Sequence, residues 1–67
     1  MTVAKVIEIS AESESSFEDA VRHGILKASD TVQNIRSAWV QDQEVTVKGG
    51  EIDKYRVRLK VTFVLSD

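Results

Sequence analysis

Few residues in this 67-residue chain are equipped for chemistry, and most of those are charged. His23 is the only histidine and there is no cysteine. A nucleophilic site needs a hydroxyl or thiol held against a base, and no Ser or Cys lies at a useful spacing from His23, which reads as a plain surface side chain. One His without Cys also leaves no zinc ligand set and excludes disulfides. Gly49-Gly50 opens no helix, so it is a turn and not a phosphate-binding loop. What remains is a lone indole, Trp39, a basic series Arg56, Arg58 and Lys60, and four carboxylates, Asp42, Glu44, Glu51 and Asp53. An indole is a platform for a planar ring. Arg and Lys suit a phosphate or carboxylate. Gathered carboxylates suit a hard cation such as calcium or magnesium, although this spacing fits no defined metal loop. Each group also has a plainer reading, the Trp as packing between subunits and the charges as a solvated strand face. This inventory points to a binding protein and not to an enzyme.

The elements that must position these residues follow from hydrophobic period. Val3 to Ile9 is rich in β-branched residues and sets Val3, Ile7 and Ile9 on one face, so it reads as a first strand. Ser10 to Ser16 is small and polar, and Ser15-Ser16-Phe17-Glu18 has the form of a capping box with Ser15 as the cap. From there Phe17, Ala20, Val21, Gly24, Ile25, Ala28, Val32 and Ile35 recur at steps of three and four, a helical stripe. Gly24 on that stripe implies close approach of helix to sheet. Beyond Asn34 the pattern turns to strand, through Ala38, Val40, Val45 and Val47, and Gly49-Gly50 marks a hairpin. The last segment alternates cleanly, Tyr55, Val57, Leu59, Val61, Phe63 and Leu65 against Arg56, Arg58, Lys60 and Thr62. The expected fold class is α+β, a β-α-β-β subunit whose three-stranded antiparallel sheet carries one helix on one face, with the third strand in the middle.

Length and composition bound the rest. The chain has room for one domain over residues 1–67, and a domain this small buries only about 60% of the surface its unfolded chain exposes. Without disulfides or a zinc site, association with copies of itself is the remaining support. A net charge of −2 predicts no general attraction to nucleic acid or to an anionic membrane. Trp39 with the basic series superficially matches a single-strand nucleic-acid surface, but Tyr55 faces the core, which leaves one aromatic where several are needed. No apolar run approaches the ~20 residues of a membrane span, and Met1 to Ile9 lacks a signal peptide's regions. The expected setting is cytoplasmic.

Lys5-Val6-Ile7-Glu8, Ser16-Phe17-Glu18-Asp19-Ala20, Asn34-Ile35-Arg36, Ala38 and Val40, and Tyr55 through Phe63 together resemble the dodecin family over nearly the whole chain. The resemblance implies a hollow homododecamer that stores flavin, FMN or riboflavin, without catalysis. In flavin-binding members two flavins stack between symmetry-related Trp side chains of the second strand, and a Gln early in the third strand bonds the ring edge. Here the Trp position matches Ser37, and Trp39 stands two residues later, a shift of ~6.6 Å that returns the side chain to the same face. The Gln position matches Arg56, which brings donors only. The site expected from the resemblance is therefore Trp39 with Ser37, Gln41 and Arg56 on one lining face, for a flavin or related flat ligand, with or without a phosphate. The alternative is a self-assembling structural or cation-binding cage that has lost flavin.

Overall fold

In a computed structural model, which describes residues 1–66, the chain runs β1 (Val3–Ser13), α1 (Phe17–Ser29), β2 (Ile35–Lys48) and β3 (Glu51–Ser66). The sheet order is β1-β3-β2, with both neighbours antiparallel to β3, so the most regular strand lies in the middle as expected. Strict alternation is what lets β3 occupy that place, because a central strand must serve a core face and an open face along its whole length. On the helix side Val57, Leu59 and Val61 are fully buried, and Ala20 of α1 closes over them. Each of these three side chains contributes about 1.5–3 kcal/mol relative to exposure. Ile7, Ile9 and Ala11 of β1 and Phe17, Val21 and Ile25 of α1 complete the cluster. Phe17 meets the ring of Tyr55 edge-on at 5.1 Å, which fixes the start of the helix over the sheet and keeps Tyr55 on the core side.

Gly24 is where the helix comes closest. A Cβ there would lie 3.2 Å from both the Ala11 Cβ and the Leu59 Cδ1, so the glycine is selected by packing against two strands. Gly49 and Gly50 serve the backbone instead, with φ of +60° and +79°, the left-handed pair that matches the twist of a two-residue hairpin.

Three boundaries and the burial of one side chain differ from the sequence reading. β1 continues through Ser13, because Ser10, Ala11, Glu12 and Ser13 go on pairing with Arg58, Val57, Arg56 and Tyr55. The helix cap is Ser16, not Ser15: the Ser16 hydroxyl accepts from the Asp19 amide at 3.0 Å, while the Ser15 amide donates to Ser13 Oγ at 2.9 Å. The capping box therefore does not form, and Glu18 pairs with Arg22 one turn on. The helix ends at Ser29, so Val32 and Ile35 are not on its stripe; Asn34 takes a φ of +64° and Ile35 opens β2. Leu65 continues the apolar alternation in the sequence yet is exposed, near the register slip at the start of β1.

One helix cannot cover this sheet. α1 lies on β1 and β3 and barely touches β2, and the molecule measures 51 × 19 × 14 Å because the β2–β3 hairpin extends beyond the helix. Val40, Val45, Val47 and Ile52 are left exposed there, with Leu26 on the outer flank of the helix. β2 is exposed along most of its length, an edge strand with an apolar side and no cover.

Candidate functional site

Antiparallel partners share a face, so the register shows which side chains stand together on the side away from the helix. Down the middle run Lys54, Arg56, Arg58, Lys60 and Thr62 of β3. Opposite them β1 places Glu12, Ser10, Glu8 and Val6 against Arg56, Arg58, Lys60 and Thr62. On the other flank β2 places Thr46, Glu44, Asp42, Trp39 and Ser37 against Lys54, Arg56, Arg58, Lys60 and Thr62. The open face is thus a cationic column between two flanks rich in carboxylates and hydroxyls, with the indole near one end.

Of the four expected site residues, Ser37, Trp39 and Arg56 stand on this face. Gln41 does not take the place alternation assigned to it. The register slips between Val40 and Asp42, which makes Gln41 the extra residue of a β-bulge with no partner on β3. The bulge exchanges the two faces of β2: Ser37 and Trp39 are outward before it, Asp42 and Glu44 after it. Its signal was present in the sequence, since the apolar positions change from even, at Ala38 and Val40, to odd, at Val45 and Val47. The acidic groups Asp42, Glu44 and Glu12 owe their contact with β3 to this shift and to the extended β1, and only the shift left a trace in the pattern of apolar residues.

Arg56 and Trp39 share a face without meeting, because Trp39 pairs with Lys60, four residues along β3 from Arg56. Arg56 is clamped. Its Nε and Nη2 donate to Glu12 Oε1 at 3.1 and 3.0 Å, and its Nη1 donates to Glu44 Oε1 at 3.0 Å, one guanidinium tying three strands. The hydrogen bonds to Glu44 and Glu12 raise its pKa above the ordinary arginine value, so it is charged at any working pH. Its donors are directed at protein carboxylates within the subunit. Lys54 adds a longer contact to Glu12 at 3.8 Å, and Arg58 one to Asp42 at 3.8 Å.

Trp39 is 70% exposed, and the Lys60 ammonium stands 5.9 Å from its ring centroid, a cation–π contact. Ser37 and Thr62, both with small side chains, lie beside that pair in the register. Of the carboxylates singled out for a cation, Asp42 and Glu44 are drawn to Arg58 and Arg56, while Glu51 and Asp53 are exposed near the hairpin. No group of three or more potential metal ligands comes together among the described residues of one subunit. His23 sits on the exposed helix flank, 3.7 Å from Asp19. No described helix is long and apolar enough to cross a membrane.

The comparisons with known proteins agree with this geometry. The Dodecin family profile matches residues 3–66. The calcium dodecin of Mycobacterium tuberculosis is 38% identical over 63 residues, which cover 94% of this chain and 89% of the relative. A crystal structure of that calcium dodecin, described with a novel calcium-binding site, superposes with a TM-score of 0.82 at 40% identity, covering 91% and 87% of the two chains. The dodecin from Streptomyces davaonensis superposes with a TM-score of 0.93 at 29% identity, covering 98% of this chain and 97% of the other. On the order of its strands, the helix laid across one face and the match along nearly its full length, the chain belongs to the dodecin family.

Proposed function

We propose that this chain is a non-catalytic binding and storage protein that closes into a cytosolic homododecameric cage, and that its cargo surface is the open sheet face around Trp39. The cargo is a flat aromatic ligand of the flavin class, FMN or riboflavin, held by stacking. The observation that carries this reading is the large exposed indole on a face that the subunit's own helix does not cover. In such a cage the uncovered apolar side chains Val40, Val45, Val47 and Ile52 are buried by neighbouring copies, which supplies the support that a three-strand, one-helix core lacks.

Ser37 stands where flavin-binding dodecins carry their stacking Trp, so the stack is displaced along the strand by two residues and rests on Trp39. Arg56, held by Glu12 and Glu44, braces the three strands four residues along β3 from the stack instead of reading the ligand's edge. A second reading is favoured by one specific observation, the 38% identity to a calcium dodecin: a cage that gathers carboxylates such as Glu51 and Asp53 from several copies around a hard cation.

Titration of the purified protein with riboflavin and with FMN, following flavin fluorescence, separates the two. Stoichiometric quenching that disappears in Trp39→Ala supports the stacking site. Unquenched flavin at protein concentrations far above micromolar, together with calorimetric heat on adding calcium to chelator-treated protein, establishes the cation reading in its place.

A further inference from the structure

We infer that Lys60 sets the specificity of the Trp39 platform, so that it prefers flat ligands carrying a negative charge over neutral ligands with the same ring system. The inference rests on the flat-ligand reading above and adds to it which member of that class the site selects.

The four cations of β3 differ in how far they are committed, and Lys54, nearest the hairpin, makes one long contact to Glu12 at 3.8 Å. Arg56 donates three hydrogen bonds to two carboxylates. Arg58 touches only Asp42, at 3.8 Å, and faces the small Ser10 on its other side. Lys60 faces Glu8 on β1 in register, yet among the described residues it forms no ion pair; its ammonium leans over the indole instead. From Arg56 to Lys60 commitment therefore falls along the strand toward Trp39, so that Lys60 beside the exposed ring has no carboxylate partner and Arg58, next along, has one long contact.

A ring that stacks on this face of Trp39 meets the ammonium already there. A neutral ligand displaces it and gains nothing in return. A ligand with a phosphate or carboxylate gives the ammonium a new partner, and Lys is suited to that exchange, since its charge sits on a flexible stem with three rotatable donors. Arg58 lies on one side of the Trp39–Lys60 pair, and the hydroxyls of Ser37 and Thr62 lie on the other, so donors surround the place an anionic group would take. The opposing charges are Glu8, directly across from Lys60, and Asp42 beside Arg58.

The test compares FMN with riboflavin on the assembled protein by fluorescence quenching. FMN is expected to bind roughly three- to tenfold more tightly at low ionic strength, the range that an exposed charge-assisted contact supplies, with the preference shrinking as salt is raised. Lys60→Gln is expected to bring the ratio close to one while riboflavin still binds, and Glu8→Gln to widen it. Equal affinity of the unmodified protein for both flavins, or a preference that survives Lys60→Gln, overturns the inference and leaves the stacking reading in place. Failure of both flavins to bind overturns the inference and the stacking reading together.

Discussion

At the scale of single residues, the open face divides into a braced part and an available part, and substitution should separate them. Arg56→Met should lower thermal stability by removing the tie between β1, β3 and β2 and leaving Glu12 and Glu44 close together without their cation. Because these groups are solvent-accessible, the loss should be modest and should shrink further in concentrated salt, as measured by thermal melts at two ionic strengths. Folding raises the Arg56 pKa, so the stabilisation is complete below the unfolded-state value and fades only in strongly alkaline solution, as pH rises through the folded-state value. The deficit of Arg56→Met should therefore be the same at about pH 6 and about pH 9, both below the range in which arginine loses its charge; a deficit that vanishes at the higher pH would show that another group is responsible. Alternation alone was enough to place Ser37, Trp39 and Arg56 on one face. It failed at Gln41, because one extra residue reverses every later side chain of a strand, and only the change of parity between Val40 and Val45 betrays it. Clamping of Arg56 was beyond the sequence for another reason, since Glu12 lies 44 positions away in a stretch that looked like a loop.

At the scale of elements, helix and sheet are joined at Gly24. Gly24→Val should destabilise the fold by about 1–3 kcal/mol in denaturant unfolding, because the added atoms press on the Ala11 Cβ and the Leu59 Cδ1, already 3.2 Å from the first carbon. Ser16→Ala should cost about 1 kcal/mol through loss of the cap on the Asp19 amide, whereas Ser15→Ala should leave the helix untouched; the reverse ranking would contradict the observed cap. Element order and the central place of β3 were readable because period two and period 3.6 are both strong in this chain. Boundaries were less so. Two adjacent serines offer the same cap chemistry one residue apart, and only the backbone, extended at Ser16, chooses between them. Val32 and Ile35 fall at helical spacing by chance of position, although Asn34 already turns the chain with a positive φ. The mostly polar run Ser10 to Ser13 hid the end of β1, since its one apolar side chain facing the core, Ala11, is too small to extend the hydrophobic pattern, and the rest of the pairing is carried by the register with β3 and by Glu12 reaching Arg56.

At the scale of the whole molecule, one 13-residue helix covers part of a sheet whose β2 edge remains open on both sides. Exposed Val40, Val45, Val47 and Ile52 give a small domain the apolar surface that copies of itself can bury, and dilution should then weaken folding and assembly together. Length and the lack of cysteine raise the expectation of such support in the sequence; which strand is left bare was not legible there, because it depends on how far a short helix reaches across a twisted sheet. On the proposed cage and stacking site, dissociation into subunits should also remove flavin quenching even with Trp39 intact, since a lone subunit offers the ligand one ring face and open water on the other. Native mass spectrometry on the purified protein at micromolar concentration tests the central claim most directly. A closed particle of about twelve times the 7.5 kDa subunit mass is the predicted result, and a stable, fully folded monomer at that concentration would contradict it.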